Sequence, residues 1–120
     1  MGKRVILSVS KHFLTFALVA LLACKDEKIP EHILTVDKMT AILVDIHLAE
    51  GKIHELQIFG DTAKMTFAYY EKEIFAKHQI DADLYKESFE YHLHNIKTMD
   101  DIYARVVDSL NVRRQINSIE

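Results

Sequence analysis

The sequence predicts an all-α domain, a small bundle of three to four amphipathic helices. Two observations support this fold class. From Val36 onward, apolar residues recur at steps of three and four, which is the period of a helix, and no segment alternates as a strand would. Glycine and proline are scarce, with 3 Gly and 1 Pro in 120 residues. Few residues that interrupt helices are therefore present, and we expect long helices joined by short turns.

The first helix is predicted from about Val36 to Gln57. Its apolar stripe consists of Met39, Ile42, Leu43, Ile46, Ala49, Ile53 and Leu56. Gly51 projects away from this stripe, so it lowers helix stability by about 1 kcal/mol without allowing a close helix contact. Gly60 is predicted to end this helix, and Asp61 to cap the next one.

Three further helices follow. The second is predicted from about Asp61 to His78, with a seam of Ala63, Phe67, Tyr70 and Ile74. The third begins at Asp81, which can accept backbone N–H bonds as N-cap, and extends to about His94 with Leu84, Ser88 and Tyr91 on one side. The fourth begins near Asn95 or Thr98 and carries Met99, Ile102, Tyr103, Val106 and Leu110. Its end, residues 111–120, loses the apolar period and is predicted to fray.

The first 23 residues have the pattern of a secretory signal. Lys3, Arg4 and Lys11 supply positive charge, and no acidic residue precedes Asp26. The apolar run at residues 13–23 is about half of the roughly 20 residues that a membrane-spanning helix needs. It fits the apolar core of a signal peptide that is removed from the mature protein. An uncleaved amphipathic or membrane-spanning anchor is the alternative.

The only cysteine, Cys24, stands at the end of this apolar run. Leu21-Leu22-Ala23-Cys24 resembles the lipobox of bacterial lipoproteins, which implies a diacylglyceryl group on the thiol, cleavage before Cys24, and acyl chains such as palmitate. Each buried methylene contributes about 0.8 kcal/mol, so several chains make a stable anchor. The next residues, Lys25-Asp26-Glu27, are similar to a signal that sends some Bacteroidota lipoproteins to the cell surface. The predicted organisation is a signal peptide at 1–23, a lipidated cysteine with its tether at 24–35, and a helical domain at 36–120.

Removal of residues 1–23 changes the charge of the chain. The remaining 97 residues suffice for one small domain and carry a formal net charge of −6 with histidine neutral. An acidic domain without a clustered basic face argues against nucleic acid as a partner. With Cys24 lipidated, no thiol remains for a disulfide or a nucleophile. No Gly-rich phosphate loop or serine elbow is present either, so the sequence predicts no enzyme.

The sharpest polar cluster lies in the first helix. His47, Glu50 and His54 follow each other at steps of three and four, so they share one narrow sector beside the apolar stripe. Two imidazoles and a carboxylate are a candidate metal site. However, the spacing matches neither H-E-x-x-H nor the Glu-x-x-His of di-iron bundles. Because such pairs arise freely on helices, a half-buried polar edge with His–Glu hydrogen bonds is favoured, and no metal or other cofactor is predicted besides the covalent lipid.

The sequence allows two roles for Asp45 and His47, and two roles for the tyrosines. Asp45 and His47 flank the stripe; they either bond to neighbouring elements and fix packing, or, with Glu50, form an edge that docks a partner protein. The five tyrosines either line a ligand pocket or are core residues with the hydroxyl at the rim.

The chain from Val36 to Leu110 resembles an uncharacterised family of small Bacteroidota lipoproteins, classed as a domain of unknown function. The resemblance depends on Asp45-Ile46-His47-Leu48-Ala49-Glu50 in the first helix and continues through His78-Gln79-Ile80 to Ile102-Tyr103. Three positions depart from the family pattern: Gly51 replaces an alanine, Gln79 a helix-ending glycine, and Ile96 a helix-opening proline. The family implies an α-helical envelope lipoprotein without an assigned activity. We therefore expect an anchor in the outer membrane, with surface exposure as an option, and an envelope protein as partner. A protein that binds a metal or small ligand through His47, Glu50 and His54 is the alternative.

Overall fold

The computed structural model describes residues 28–118, which form four α-helices and contain no strand. The helices are α1 (Val36–Glu55), α2 (Gly60–His78), α3 (Ala82–His94) and α4 (Ile96–Asn117). This confirms the predicted all-α bundle. The predicted signal peptide, Cys24 and Lys25-Asp26-Glu27 lie outside the described residues.

The core forms around α1, which packs against both α2 and α4, while α3 packs against α4. Of its ten buried members, α1 supplies six, five from the predicted stripe together with Val44, and α2 and α4 supply two each. The predicted stripe member Leu56 is instead 58% exposed. The buried members of the core are Met39, Ile42, Leu43, Val44, Ile46, Ala49, Ile74, Phe75, Ile102 and Val106. Stacked rings extend this core towards α3, where Tyr85 lies 5.0 Å from Phe75 and 6.0 Å from Phe89, measured between ring centroids.

Side-chain caps define three of the helix starts. The Thr35 hydroxyl accepts from the Lys38 amide at 3.3 Å, and the Asp81 carboxylate accepts from the Leu84 amide at 2.7 Å. The Asn95 side chain accepts from the Thr98 amide at 3.4 Å. Each bond satisfies one of the amides that a first helical turn leaves without a helical acceptor. The predicted cap at Asp81 is confirmed, and Asn95, one of the two predicted starting points of the fourth helix, is its cap.

The turn between α1 and α2 differs from the prediction. Gln57, not Gly60, takes the left-handed conformation after α1, with φ +53°. Its amide donates to the carbonyl of His54 at 3.0 Å, and the Ile58 amide donates to that of Ile53 at 3.2 Å. These two bonds form a Schellman motif, which satisfies carbonyls at the helix end. Gly60, at φ +65°, is instead the first residue of α2, and Asp61 is not its cap.

α2 ends in the same way as α1. Gln79 has φ +56°, its amide donates to the carbonyl of Ala76 at 3.1 Å, and the Ile80 amide donates to that of Phe75 at 3.0 Å. The position where the resembled family often has glycine is therefore one whose backbone favours glycine.

α4 continues beyond the predicted point of fraying. It extends to Asn117, although every residue from Asn111 to Ser118 is exposed. The loss of the apolar period correctly indicates the absence of packing. The fraying of this end stays a prediction. The backbone hydrogen bonds of a helix continue without a buried face, and good helix formers such as Arg113 and Arg114 support them.

Candidate functional site

Asp45 is bonded across the interface between α1 and α2. Its Oδ2 atom lies 2.7 Å from His78 Nε2 and 2.8 Å from Lys77 Nζ. The side chains of Asp45 and His78 are 13% and 11% exposed, whereas that of Lys77 is 65% exposed. Burial opposes the charged form of Asp45. The hydrogen bonds and positive charges of Lys77 and His78 outweigh it and hold the pKa of this carboxyl below its usual 3.8. These contacts agree with the first of the two roles considered for Asp45, in which it bonds to a neighbouring helix and fixes the packing.

His47 and Glu50 form a local pair on the opposite side of the α1 stripe. The Nδ1 atom of His47 lies 2.8 Å from Glu50 Oε2, and its ring centroid lies 6.3 Å from that of Tyr103 on α4. Burial first, and then the negative charges of Tyr103, Glu71 and Glu50, raise the pKa of Tyr85 on α3 to about 12. The contact between the rings of His47 and Tyr103 shows that this edge of α1 faces α4.

The predicted set of His47, Glu50 and His54 is not gathered into a metal centre. Among residues 28–118, no three His, Cys, Asp or Glu side chains are grouped as a bound metal ion requires. Glu50 is directed to His47, while His54 is exposed near the end of α1. The geometry therefore gives the metal alternative no support.

The tyrosines are also dispersed. Tyr70 lies under Lys52, whose Nζ is 5.6 Å from the ring centroid, and Tyr91 lies edge-on to His92 at 5.3 Å. Tyr69 is 63% exposed, and Tyr85 is partly buried, with its ring tilted against that of Phe75 at the edge of the core. Tyr70 and Tyr91 line different surface depressions, so these two do not share a ligand pocket.

Glu50 and His54 instead border an apolar groove at the free end of the α1–α2 hairpin. The groove is shallow and open to solvent, with a volume of about 390 Å³. We call it the hairpin groove; its apolar lining is Ile53, Ile58, Phe59, Ala63 and Phe67, and its polar lining is Glu50, His54 and Lys64. The Schellman motif at Gln57 shapes it, because the motif folds Ile58 back towards Ile53.

Several large apolar side chains of the α1–α2 hairpin are exposed. Phe59, which lines the groove, is 71% exposed, and Leu56 and Met65 are 58% and 74% exposed. Exposed apolar surface is typical of interaction sites, because leaving it in water is unfavourable. The lining residues Ile53, Ala63 and Phe67 were predicted on the apolar faces of the first two helices. Their meeting with Phe59 beside Glu50 and His54 was not predicted, because the groove forms only when the hairpin closes.

A second polar feature was not predicted. Ser88 and His92 on α3 are both 0% exposed and hold the segment before α1. The Leu34 amide donates to Ser88 Oγ at 2.9 Å, and His92 Nε2 lies 2.8 Å from the Leu34 carbonyl oxygen. The predicted tether at 24–35 overlaps this docked segment. The only sequence feature that could have indicated this contact is the polar residue Ser88 on an otherwise apolar side of a helix.

None of the helices between residues 28 and 118 combines the length and hydrophobicity needed to cross a bilayer.

Comparison with known proteins shows the family of this chain. A family model described as a domain of unknown function, DUF4296, matches residues 30–116, and the chain belongs to this family. The match begins at Pro30, so it includes the segment held by Ser88 and His92. No curated protein and no solved structure matches the chain.

Proposed function

We propose that this protein is a lipid-anchored lipoprotein of the bacterial cell envelope that docks a partner protein in the hairpin groove and catalyses no reaction. The groove is the observation that carries the proposal. An apolar depression bordered by a few polar groups suits the apolar side chains of a partner segment, as in helix-in-groove recognition.

The anchor in this proposal is Cys24. Its support is the lipobox-like Leu21-Leu22-Ala23-Cys24 after an apolar run of signal-peptide length. The same reasoning places the protein in a Bacteroidota outer membrane, with Lys25-Asp26-Glu27 as a surface-export signal. Lipidation is tested by metabolic labelling with an alkyne analogue of palmitate. We expect label on the wild-type chain and none on Cys24→Ser; label on both variants would contradict the anchor.

The absence of catalysis is supported by how the polar side chains are used. Ser88 and His92 bind a backbone segment, and Asp45 and His78 bind each other. These contacts stabilise the fold and occupy the groups that a nucleophile or an acid–base pair would need.

Docking is tested by site-specific crosslinking in the native membrane. A photoreactive benzoylphenylalanine replaces Phe59, which is 71% exposed in the groove, or Ile96, which is 74% exposed at the start of α4. We expect one defined protein adduct from position 59 and none from position 96. A second substitution, Phe67→Asp, is expected to abolish the adduct while the circular dichroism spectrum stays helical.

The result that contradicts docking is equally specific. Equal adducts from positions 59 and 96, or an adduct at 59 that persists with Phe67→Asp, would show contact without recognition by the groove. Because Phe59 is mostly exposed, its replacement changes little of the core, so loss of the fold does not confuse the comparison.

A further inference from the structure

The segment before α1 is bound by its backbone. Both polar backbone groups of Leu34 contact fully buried side chains of α3. The amide donates to Ser88 Oγ at 2.9 Å, and the carbonyl oxygen lies 2.8 Å from His92 Nε2. The preceding residue, Ile33, is 6% exposed, and its amide donates to the carbonyl of Pro30 at 3.0 Å. Residues 30–34 with Ser88 and His92 are called the latch below.

Both ring nitrogens of His92 have hydrogen-bond partners. The Leu34 carbonyl can only accept, so Nε2 must carry the hydrogen. Nδ1 lies 3.1 Å from Thr98 Oγ1, which also lies 2.9 Å from the Asn95 carbonyl oxygen. These bonds orient the imidazole towards Leu34.

The latch and the hairpin groove lie at opposite ends of α1. Leu34 comes just before Val36, the first residue of α1, whereas Ile53 and His54 lie in its last turn. A 20-residue helix is about 30 Å long, so this is roughly the separation of the latch from the groove. Only five residues separate Cys24 from Pro30, and an extended chain covers about 3.3–3.6 Å per residue.

We infer that the latch fixes the orientation of the domain so that the hairpin groove lies at the end away from the membrane. There the groove binds a basic amphipathic helix of a protein outside the bilayer. This inference rests on the proposed lipid at Cys24. The short tether keeps the latch end close to the bilayer. The net charge of −6 after Cys24 opposes contact of the whole domain with anionic lipid. The polar lining of the groove contains one acid, Glu50, and one base, Lys64, so the attraction of a segment with basic flanks comes from the charge of the domain as a whole.

The position of the groove is tested with a tryptophan reporter, because the chain contains no Trp. Lipidated Phe59→Trp is reconstituted in vesicles of phosphatidylethanolamine and phosphatidylglycerol, with or without brominated acyl chains. We expect its fluorescence to be quenched at least about threefold by aqueous iodide and unchanged by the brominated lipid. Strong quenching by brominated lipid would show the groove on the membrane and overturn the inference. The equally exposed Ile96→Trp is the matched reporter at the other end of the bundle.

The chemistry of the occupant is tested on the same reporter with two synthetic helical peptides, one of leucine and lysine and one of leucine and glutamate. The lysine peptide is expected to protect Phe59→Trp from iodide at a concentration at least about tenfold lower than the glutamate peptide. Protection by neither peptide, or equal protection by both, would overturn the assigned occupant. The same titration on Phe67→Asp with Phe59→Trp is expected to lose the protection.

The latch is tested separately in solution by hydrogen exchange at the Leu34 amide. Ser88→Ala removes the acceptor and is expected to accelerate exchange at Leu34 at least about tenfold. Ser109→Ala, whose hydroxyl bonds only within α4, is the control and should leave Leu34 unchanged. An unchanged Leu34 rate in Ser88→Ala would overturn the latch. If Cys24 carries no lipid while Ser88→Ala behaves as expected, the proposed anchor fails and the latch stands.

Discussion

Asp45 and His78 join the middle of α1 to the last residue of α2 through a hydrogen bond of 2.7 Å between Oδ2 and Nε2. Lys77 adds a second bond to the same oxygen at 2.8 Å. Because Asp45 and His78 are nearly buried, this contact is shielded from solvent and holds the two helices together more firmly than a surface ion pair would.

The first prediction concerns Asp45→Asn. We expect a loss of about 2 kcal/mol in the free energy of unfolding at pH 7, because hydrogen bonds to a charged group contribute about 1.5–3 kcal/mol. Urea unfolding measures the change. Asp37→Asn is the control, since its side chain is 84% exposed and its bond to Arg105 is screened by water. A similar loss in both variants would contradict a special role for Asp45.

The pH dependence of this contact follows from the lowered pKa of Asp45. A carboxyl whose pKa is lower in the folded than in the unfolded state stabilises the fold fully above its unfolded value. That stability disappears as the pH falls through the folded value. The difference in the free energy of unfolding between wild type and Asp45→Asn should therefore shrink as the pH falls below about 3.8. A difference that grows below this pH would contradict the lowered pKa of Asp45.

The second prediction concerns His92→Leu. The substitution keeps an apolar volume in the site but leaves the buried Leu34 carbonyl without its donor, which costs about 1–3 kcal/mol. His94→Leu, two residues along on an exposed face, should change stability by less than about 0.5 kcal/mol. The midpoints of denaturant unfolding compare the two variants. Equal losses in the free energy of unfolding for the two variants would show that the buried hydrogen bond of His92 does not stabilise the fold.

The third prediction concerns Gln79→Gly. Gln79 has φ +56°, a conformation that costs a non-glycine residue about 1 kcal/mol. We expect glycine to raise the free energy of unfolding by about this amount. Gln79→Ala keeps the strain and is expected to change little. Gln57→Gly, at φ +53°, should behave like Gln79→Gly if the backbone conformation is the cause.

The fourth prediction compares two glycines. An alanine side chain at Gly51 would meet no atom within 4 Å, so Gly51→Ala should stabilise α1 by about 1 kcal/mol through helix propensity alone. Gly60 also has open space, but its φ of +65° makes Gly60→Ala strained and destabilising. Thermal unfolding should move the two melting temperatures in opposite directions.

The helices were predictable because each signal is local. The apolar period of α1 and the caps at Asp81 and Asn95 depend on residues within a few positions of each other. The end of α1 was mispredicted for a related reason. Glycine is the usual left-handed residue, whereas here Gln57 adopts that conformation and the two Schellman bonds stabilise it.

The sites were less predictable because they join distant residues. Leu34 and Ser88 are 54 positions apart, and Asp45 and His78 are 33 apart. Sequence alone indicates that Asp45 has some partner but not which helix supplies it. Likewise, the groove beside Glu50 and His54 exists only because the turn at Gln57 brings Phe59 and Phe67 onto Ile53.

The exposed end of α4 gives the molecule a part that unfolds by itself. From Asn111 to Ser118 no residue is buried, so these turns are held mainly by their own backbone bonds. Short helices without packing are marginal in water and lose order gradually with temperature. The helical circular dichroism signal should therefore decline gradually on warming before the core melts. Deletion of residues 111–120 should remove this gradual decline and leave the main melting transition in place.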